Sequence, residues 1–277
     1  MNIFEKILYW LQGTMQTPTL YGWFHWLWIG LSVIALFFLY KNKRKYNEKQ
    51  LKIVLFTYGF IALILEILKQ LIWSFNYDAI SNVVTWDYQW YAAPFQLCTT
   101  PIIVCLVCTF LKKGKIRTSL LSYVSFVTIL GSIATVIYPT SCFVEDTLVN
   151  IHAMWLHFGS FVVSIYLIII RETVPNKSNF KNAIIVFLIF VVIAQILNIS
   201  IYNSGLLNGE TFNMFYISPY FTSSLPVFDI IQSNVPYVIF LITYILVISL
   251  GAYIVWYISY KIKKLKGGNF WKSILKK

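Results

Sequence analysis

The chain has 277 residues, 58% of them hydrophobic and only 12% charged, with a net charge of +12. No soluble domain of that length can hide so much apolar surface, so a cytosolic enzyme is excluded and an integral membrane protein remains. The basic residues sit in short connectors and the tail, which argues against nucleic acid as a partner and for anionic lipid head groups at the cytoplasmic face.

The first dozen residues, MNIFEKILYWLQ, contain Glu5 and Lys6 and too short an apolar run for a cleavable signal peptide. Ile3, Phe4, Ile7, Leu8 and Leu11 fall on one helical face, so residues 1–19 are expected to lie as an amphipathic segment in the membrane interface. Each membrane span needs about 20 apolar residues, and the sequence supplies about seven such runs. They are Leu20–Tyr40, Ile53–Phe75, Ala92–Leu111, Ser119–Tyr138, Leu148–Ile170, Asn182–Tyr202 and Val235–Tyr260.

The connectors assign the topology. Lys and Arg gather after the first, third and fifth runs and in the tail, residues 261–277. The connectors after the second, fourth and sixth runs hold Asp78, Asp87, Glu145, Asp146, Glu210 and Asp229, and no Lys or Arg. Positive residues stay in the cytoplasm, which places the amino terminus outside and the carboxyl terminus inside. The expected fold is all-α: a single polytopic membrane helix bundle over residues 1–277, in the cell membrane. The connector 203–234 is rich in aromatics and is broken by Pro219 and Pro226, with Pro236 just beyond it. A loop of that length is usually functional, and it is expected to fold over the outer mouth of the bundle.

Cys98, Cys105 and Cys108 share one predicted span and Cys142 lies outside it, which rules out a disulfide framework. Cys105 and Cys108 have metal-ligand spacing but no second ligand pair, so they read as small buried hydrophobes and no metal is expected.

Polar groups concentrate in the outer halves of the spans. Glu66 lies about nine residues deep, ~14 Å, with Lys69 and Gln70 one turn shallower on the same face. Gln96 and Cys98 lie ~6–9 Å deep, His157 ~14 Å, and Gln195 and Asn198 share a face at similar depth. Intramembrane polar groups are costly and mark functional sites by default. Each also has a plainer reading. Glu66 and Lys69 can neutralise each other locally. His152, about 140° around the helix from His157, reads as a hydrogen-bonded interfacial histidine. Gln195 and Asn198 read as glue between helices, and Asp229 as a cap on a short helix. A thiol beside an imidazole is different, because the imidazole can generate the nucleophilic thiolate. Gly159, two residues after His157, permits close approach of another helix.

The segment APFQLCTT, which ends at Thr100, resembles the cysteine motif of the YwaF-like bacterial integral membrane family. Glu66 with Lys69 before it and LHFG with His157 after it fall in that family's order. Asn213-Met214-Phe215 and the segment PVFDIIQSNVPY, with Asp229 and Pro236, resemble its carboxyl-terminal segments. This chain carries Gln96 where relatives often carry histidine. That family is similar to a vertebrate transmembrane acyltransferase that moves fatty acyl chains between phospholipids through an acyl-cysteine and a histidine. It is more distantly similar to the androgen-dependent membrane hydrolases.

The resemblance implies an intramembrane acyltransferase or lipid hydrolase, with Cys98 as nucleophile, His157 as base and a membrane phospholipid or other acyl lipid as substrate. Gln96, Lys69 or Asn198 would donate to the oxyanion, and Glu66 would orient a base or balance Lys69. No nucleotide or metal motif is present and no cofactor is expected. The alternatives are a transporter or substrate-binding subunit with a Glu/Lys/His polar path, and a non-catalytic scaffold or lipid sensor. The expected polar path stops halfway through the membrane, and no internal repeat is visible, which weighs against a transporter.

Overall fold

The computed structural model describes residues 1–43, 47–170 and 173–267. Arg44, Lys45 and Tyr46 of the first basic connector, Arg171 and Glu172, and residues 268–277 of the expected basic tail lie outside the described residues. The protein is an all-α membrane helix bundle, and 6 helices among the described residues are long and apolar enough to cross a bilayer.

Helix α1, Ile3–Leu11, opens with a capping box between Asn2 and Glu5. Its Leu8 is buried against Ile72, Phe75 and Val149, while Ile3, Phe4, Ile7 and Trp10 stay exposed. The apolar face expected from the sequence is thus divided between the protein and the surroundings. The Gln12 amide fastens α1 to the end of the third helix by donating to the carbonyls of Ile72 and Phe75, both at 2.7 Å.

Helices α2, Trp23–Lys41, and α3, Glu48–Ser74, match the first two expected spans. Asn47 caps α3 at Gln50 N, which lets the helix start in the basic connector. After α3 a short antiparallel hairpin, β1 Phe75–Asp78 and β2 Val83–Trp86, pairs Phe75 with Trp86. Sequence reading treats this stretch only as connector.

The third expected span is the main departure. Only Thr100–Phe110, 11 residues, is helical, as α4, and at 1.5 Å per residue it reaches ~16 Å, about half the hydrocarbon core. Pro101 occupies the first turn of α4, and Pro94 disfavours helix at the residue before it. After a single 3-10 turn, Trp90–Ala92, the segment Ala93–Thr99 therefore runs as irregular backbone. Such backbone survives at membrane depth only where protein groups satisfy it.

The fourth span is one continuous rod made of α5, Lys115–Tyr123, a wider stretch with i→i+5 bonding, Val124–Thr128, and α6, Ile129–Ile137. The wide stretch is wholly buried and touches α4, α7 and α8 and the final helix. Helices α7, Thr147–Ile170, α8, Lys177–Asn203, and α10, Tyr237–Gly267, complete the bundle, with the short α9, Phe228–Asn234, before the last.

Packing is closest at glycines. A Cβ on Gly59 would meet the Leu106 side chain at 2.8 Å, and one on Gly159 would meet the Tyr58 ring at 2.9 Å. The second approach is the one that LHFG predicts. The connectors gather at two ends. At the acidic end, Trp73 Nε1 donates to Asp146 at 3.2 Å, and Trp90 N to Glu210 at 2.8 Å. At the basic end, Arg117, expected as a connector charge, is fully buried and pairs with Glu48. It ties α5 to the start of α3.

Candidate functional site

The acidic half of the bundle holds a buried charged cluster. Glu66 of α3 is 4% exposed, Lys69 8% and His152 of α7 5%. Because three and four residues close a helical turn, Lys69 Nζ reaches Glu66 Oε1 at 2.7 Å and Gln70 Nε2 reaches the same oxygen at 2.8 Å. From α7, His152 Nε2 approaches the other oxygen, Oε2, at 2.8 Å, although its N–H is not aligned for a hydrogen bond. His152 is therefore a member of this buried cluster. A buried carboxylate is tolerable only with such partners, and removing one leaves an uncompensated charge.

The cluster also supports the cysteine segment. Lys69 Nζ and Gln70 Nε2 both donate to the Ala92 carbonyl, at 3.1 and 2.7 Å. That carbonyl precedes the irregular descent, so a lysine and a glutamine of α3 satisfy backbone that no helix satisfies. Further down, Thr99 N and Thr100 N both turn back to Gln96 O, at 3.0 and 3.1 Å. Thr100 Oγ1 meets the Tyr123 hydroxyl at 2.7 Å, pinning the start of α4 to α5.

Cys98 sits in this turn, one residue before the Thr99 cap of α4. It is a free thiol and only partly buried, unlike Cys105 and Cys108, which are fully buried in α4. The charged pair Lys69 and Glu66 lies within electrostatic range of the thiol. His157 lies on α7, 9% exposed, and its Nδ1 is buried with no hydrogen-bond partner. The imidazole of His152 is its electrostatic neighbour.

Tyr58 lies between these neighbourhoods. Its hydroxyl donates to Leu156 O at 3.2 Å, and Trp155 Nε1 returns a bond to Tyr58 O at 3.3 Å, so α3 grips the turn of α7 that carries His157. Sequence reading passes over Tyr58. A phenol in mid-span, about two helical turns before Glu66, is the signal that could have found it. His25, the remaining histidine, is fully buried and structural, accepting from Tyr21 N and facing Val136 O at 3.0 Å.

The other predicted polar residues form a separate network around the segment after α8. Gln96 Nε2 donates to Asn213 O at 2.9 Å, and its Oε1 accepts from Phe215 N at 2.7 Å. Asn198 brackets Met214 in the same way, at 3.1 and 2.7 Å. Asn213 accepts from Ser218 N at 2.8 Å and donates to Thr222 O at 3.1 Å. Gln195 and Tyr237 bond to each other, and both reach Ile217 O. Gln232, absent from the sequence reading, donates to Ser218 O at 3.1 Å.

These amides hold a strained turn. Phe215 and Tyr216 have φ of 59° and 58°, a region that non-glycine residues rarely adopt. With both ends of their amides engaged on backbone, Gln96 and Asn198 clamp this turn. Asp229 is exposed in the first turn of α9 and caps nothing with its side chain, so it stands apart from both networks. The connector 203–234 is a clamped structure containing one short helix.

Fold and site together define a polytopic helical membrane protein with a charged cluster buried in one half of its bundle. The TMEM164 family model matches residues 20–260, and the chain belongs to that family. No curated protein and no solved structure matches it.

Proposed function

We propose that the protein is an intramembrane acyltransferase or lipid-ester hydrolase working through a thioester on Cys98. The observation that carries this reading is His157. A buried imidazole nitrogen without a partner is expensive and calls for an explanation, and a proton-transfer role supplies one. Cys98 adds to it, as the one cysteine of its segment that is not fully buried. The likeness of APFQLCTT and LHFG to the YwaF-like family points the same way.

In the forward step His157 takes the Cys98 proton and the thiolate attacks the carbonyl carbon of an acyl ester. The tetrahedral intermediate collapses, the C–O bond breaks, and the leaving alkoxide takes the proton from His157. A lysolipid departs and the acyl chain remains as a thioester. In the second step His157 accepts the proton of an acceptor hydroxyl, from a lysolipid or water. The oxygen attacks, the C–S bond breaks, and the proton returns to sulfur. Among the described residues no hydrogen bond joins Cys98 to His157, so the mechanism requires the two to come into reach when substrate binds. The helix dipole of α4 favours negative charge at Cys98, and the remaining N–H of Lys69 can face the oxyanion.

His152, Glu66 and Gln70 are positioning groups in this scheme, since they contact one another and the Ala92 carbonyl rather than the reacting atoms. The test is an acyl-thiol or fluorophosphonate-type activity probe applied to the protein in vesicles. Cys98→Ala and His157→Ala should each abolish labelling, and Cys105→Ala should retain it. Retained labelling in either of the first two would reject the assignment.

A further inference from the structure

At the opposite, basic end, a second site stands apart from this chemistry. Helix α10 touches α6 where Gly251 lets the Leu130 side chain approach to 2.8 Å of a built Cβ. Below that contact α10 leans toward α8. Trp256 Nε1 donates to Asn176 O at 3.1 Å, and Phe180 packs on Tyr253 and Trp256 at ring distances of 5.8 and 5.4 Å. A cleft of about 660 Å³ lies among α10, α6, α7 and residues at and just after the end of α2. That volume lies within the range of small-molecule sites, about 300–1,000 Å³.

The walls are apolar and the mouth is cationic. Ile129 and Ile133 of α6, Ile165 and Ile168 of α7, and Val255 of α10 line the interior. Lys43, just after the end of α2, and Lys263 from α10 stand at the same cleft with the Tyr40 ring and the Ser259 hydroxyl. Lys43 Nζ lies over the Tyr40 ring at 3.5 Å, a contact worth little at an exposed site and easily exchanged for an anion. Among the described residues no salt bridge engages Lys43 or Lys263.

We infer that this cleft binds one anionic diacyl phospholipid of the leaflet at the basic end. An acyl chain lies between α6, α7 and α10, and the phosphate sits between Lys43 and Lys263. A neutral lipid would fill the walls but leave both lysines uncompensated, and a free phosphate would leave the apolar walls exposed. A basic pocket between membrane helices is the expected form of an acidic-lipid site. The site does not depend on Cys98 or His157.

The experiment titrates delipidated full-length protein with phosphatidylglycerol, phosphatidylcholine or glycerol phosphate, counting bound lipid by native mass spectrometry. Wild type is expected to retain one phosphatidylglycerol in preference to phosphatidylcholine and to bind no glycerol phosphate. Lys43→Gln with Lys263→Gln should weaken phosphatidylglycerol about 30-fold, the combined worth of two lysines near an anionic head group. Lys112→Gln with Lys113→Gln, outside the cleft, should leave it unchanged. Ile133→Trp, which fills the cleft, should weaken both lipids. Equal retention of the two lipids by wild type would overturn the site without reference to any variant. So would equal losses in the two lysine pairs, or binding of glycerol phosphate as tight as that of the lipid.

Discussion

The segment after α8 is held by the amides of Gln96, Asn198 and Asn213, whereas α3 and α7 meet around Glu66, Lys69 and His152, with His157 beside them. Both networks are buried in the acidic half of the bundle, and the resemblance places residues of both at the candidate site. They differ in what is left over. Each of the three amides engages backbone through both its oxygen and its nitrogen, so all three hold the turn in place. Around the charged cluster, Glu66 Oε2, His152 Nε2 and His157 Nδ1 lack a hydrogen bond, and in the amide network Gln195 Oε1 lacks one. In the proposed mechanism His157 is the one of these groups that takes part in the chemistry.

The largest expected effect separates the two functionally. Cys98→Ala should reduce acyl transfer to background, and His157→Ala should reduce it by about 10²–10⁴, the usual worth of a positioned general base. Both variants should keep the thermal stability of the wild type in detergent. Loss of stability matching the loss of activity would put His157 among the structural groups instead.

Glu66→Ala should act first on stability. It leaves Lys69 and His152 facing each other without the carboxylate, at a cost of about 3–5 kcal/mol. Thermal unfolding measured with intrinsic fluorescence would register it, and Glu66→Gln should cost less. Asn198→Ala should be milder, about 1–3 kcal/mol, because it strands the buried N–H of Met214. Limited proteolysis should then cut the segment 203–234 faster. Asp229→Asn should change stability by no more than about 0.5 kcal/mol, as expected for an exposed position. A large effect there would mean that the segment engages a partner through α9.

Much of the fold can be read from the sequence. Long apolar runs and the alternation of basic and acidic connectors locate α2, α3, α7, α8 and α10, because hydrocarbon thickness fixes span length. The Ala92–Leu111 run looks like the rest by composition, and only Pro94 and Pro101 hint that its first half is not helical. What lets that half exist is the pairing of Lys69 and Gln70 with Ala92 O, a long-range contact that no local pattern encodes. Arg117 illustrates the same limit: its charge fits a basic connector, and its burial goes with a pairing to Glu48 from a distant turn. Glu66 with Lys69 is visible as an i, i+3 pair. His152 is not visible as their third partner, since that depends on how α7 rotates against α3. The role of Gln96 as a clamp also depends on a segment 119 residues away, held at positive φ where sequence gives no glycine to mark it.

The most direct measurement is the intact mass of the protein after incubation with a diacyl phospholipid in vesicles, followed by peptide mapping of residues 92–111. One acyl chain should appear on Cys98, be released by hydroxylamine, and be missing from both Cys98→Ala and His157→Ala. A chain that persists in Cys98→Ala, or wild-type acyl transfer with no thioester at Cys98 under any quench, would contradict the account.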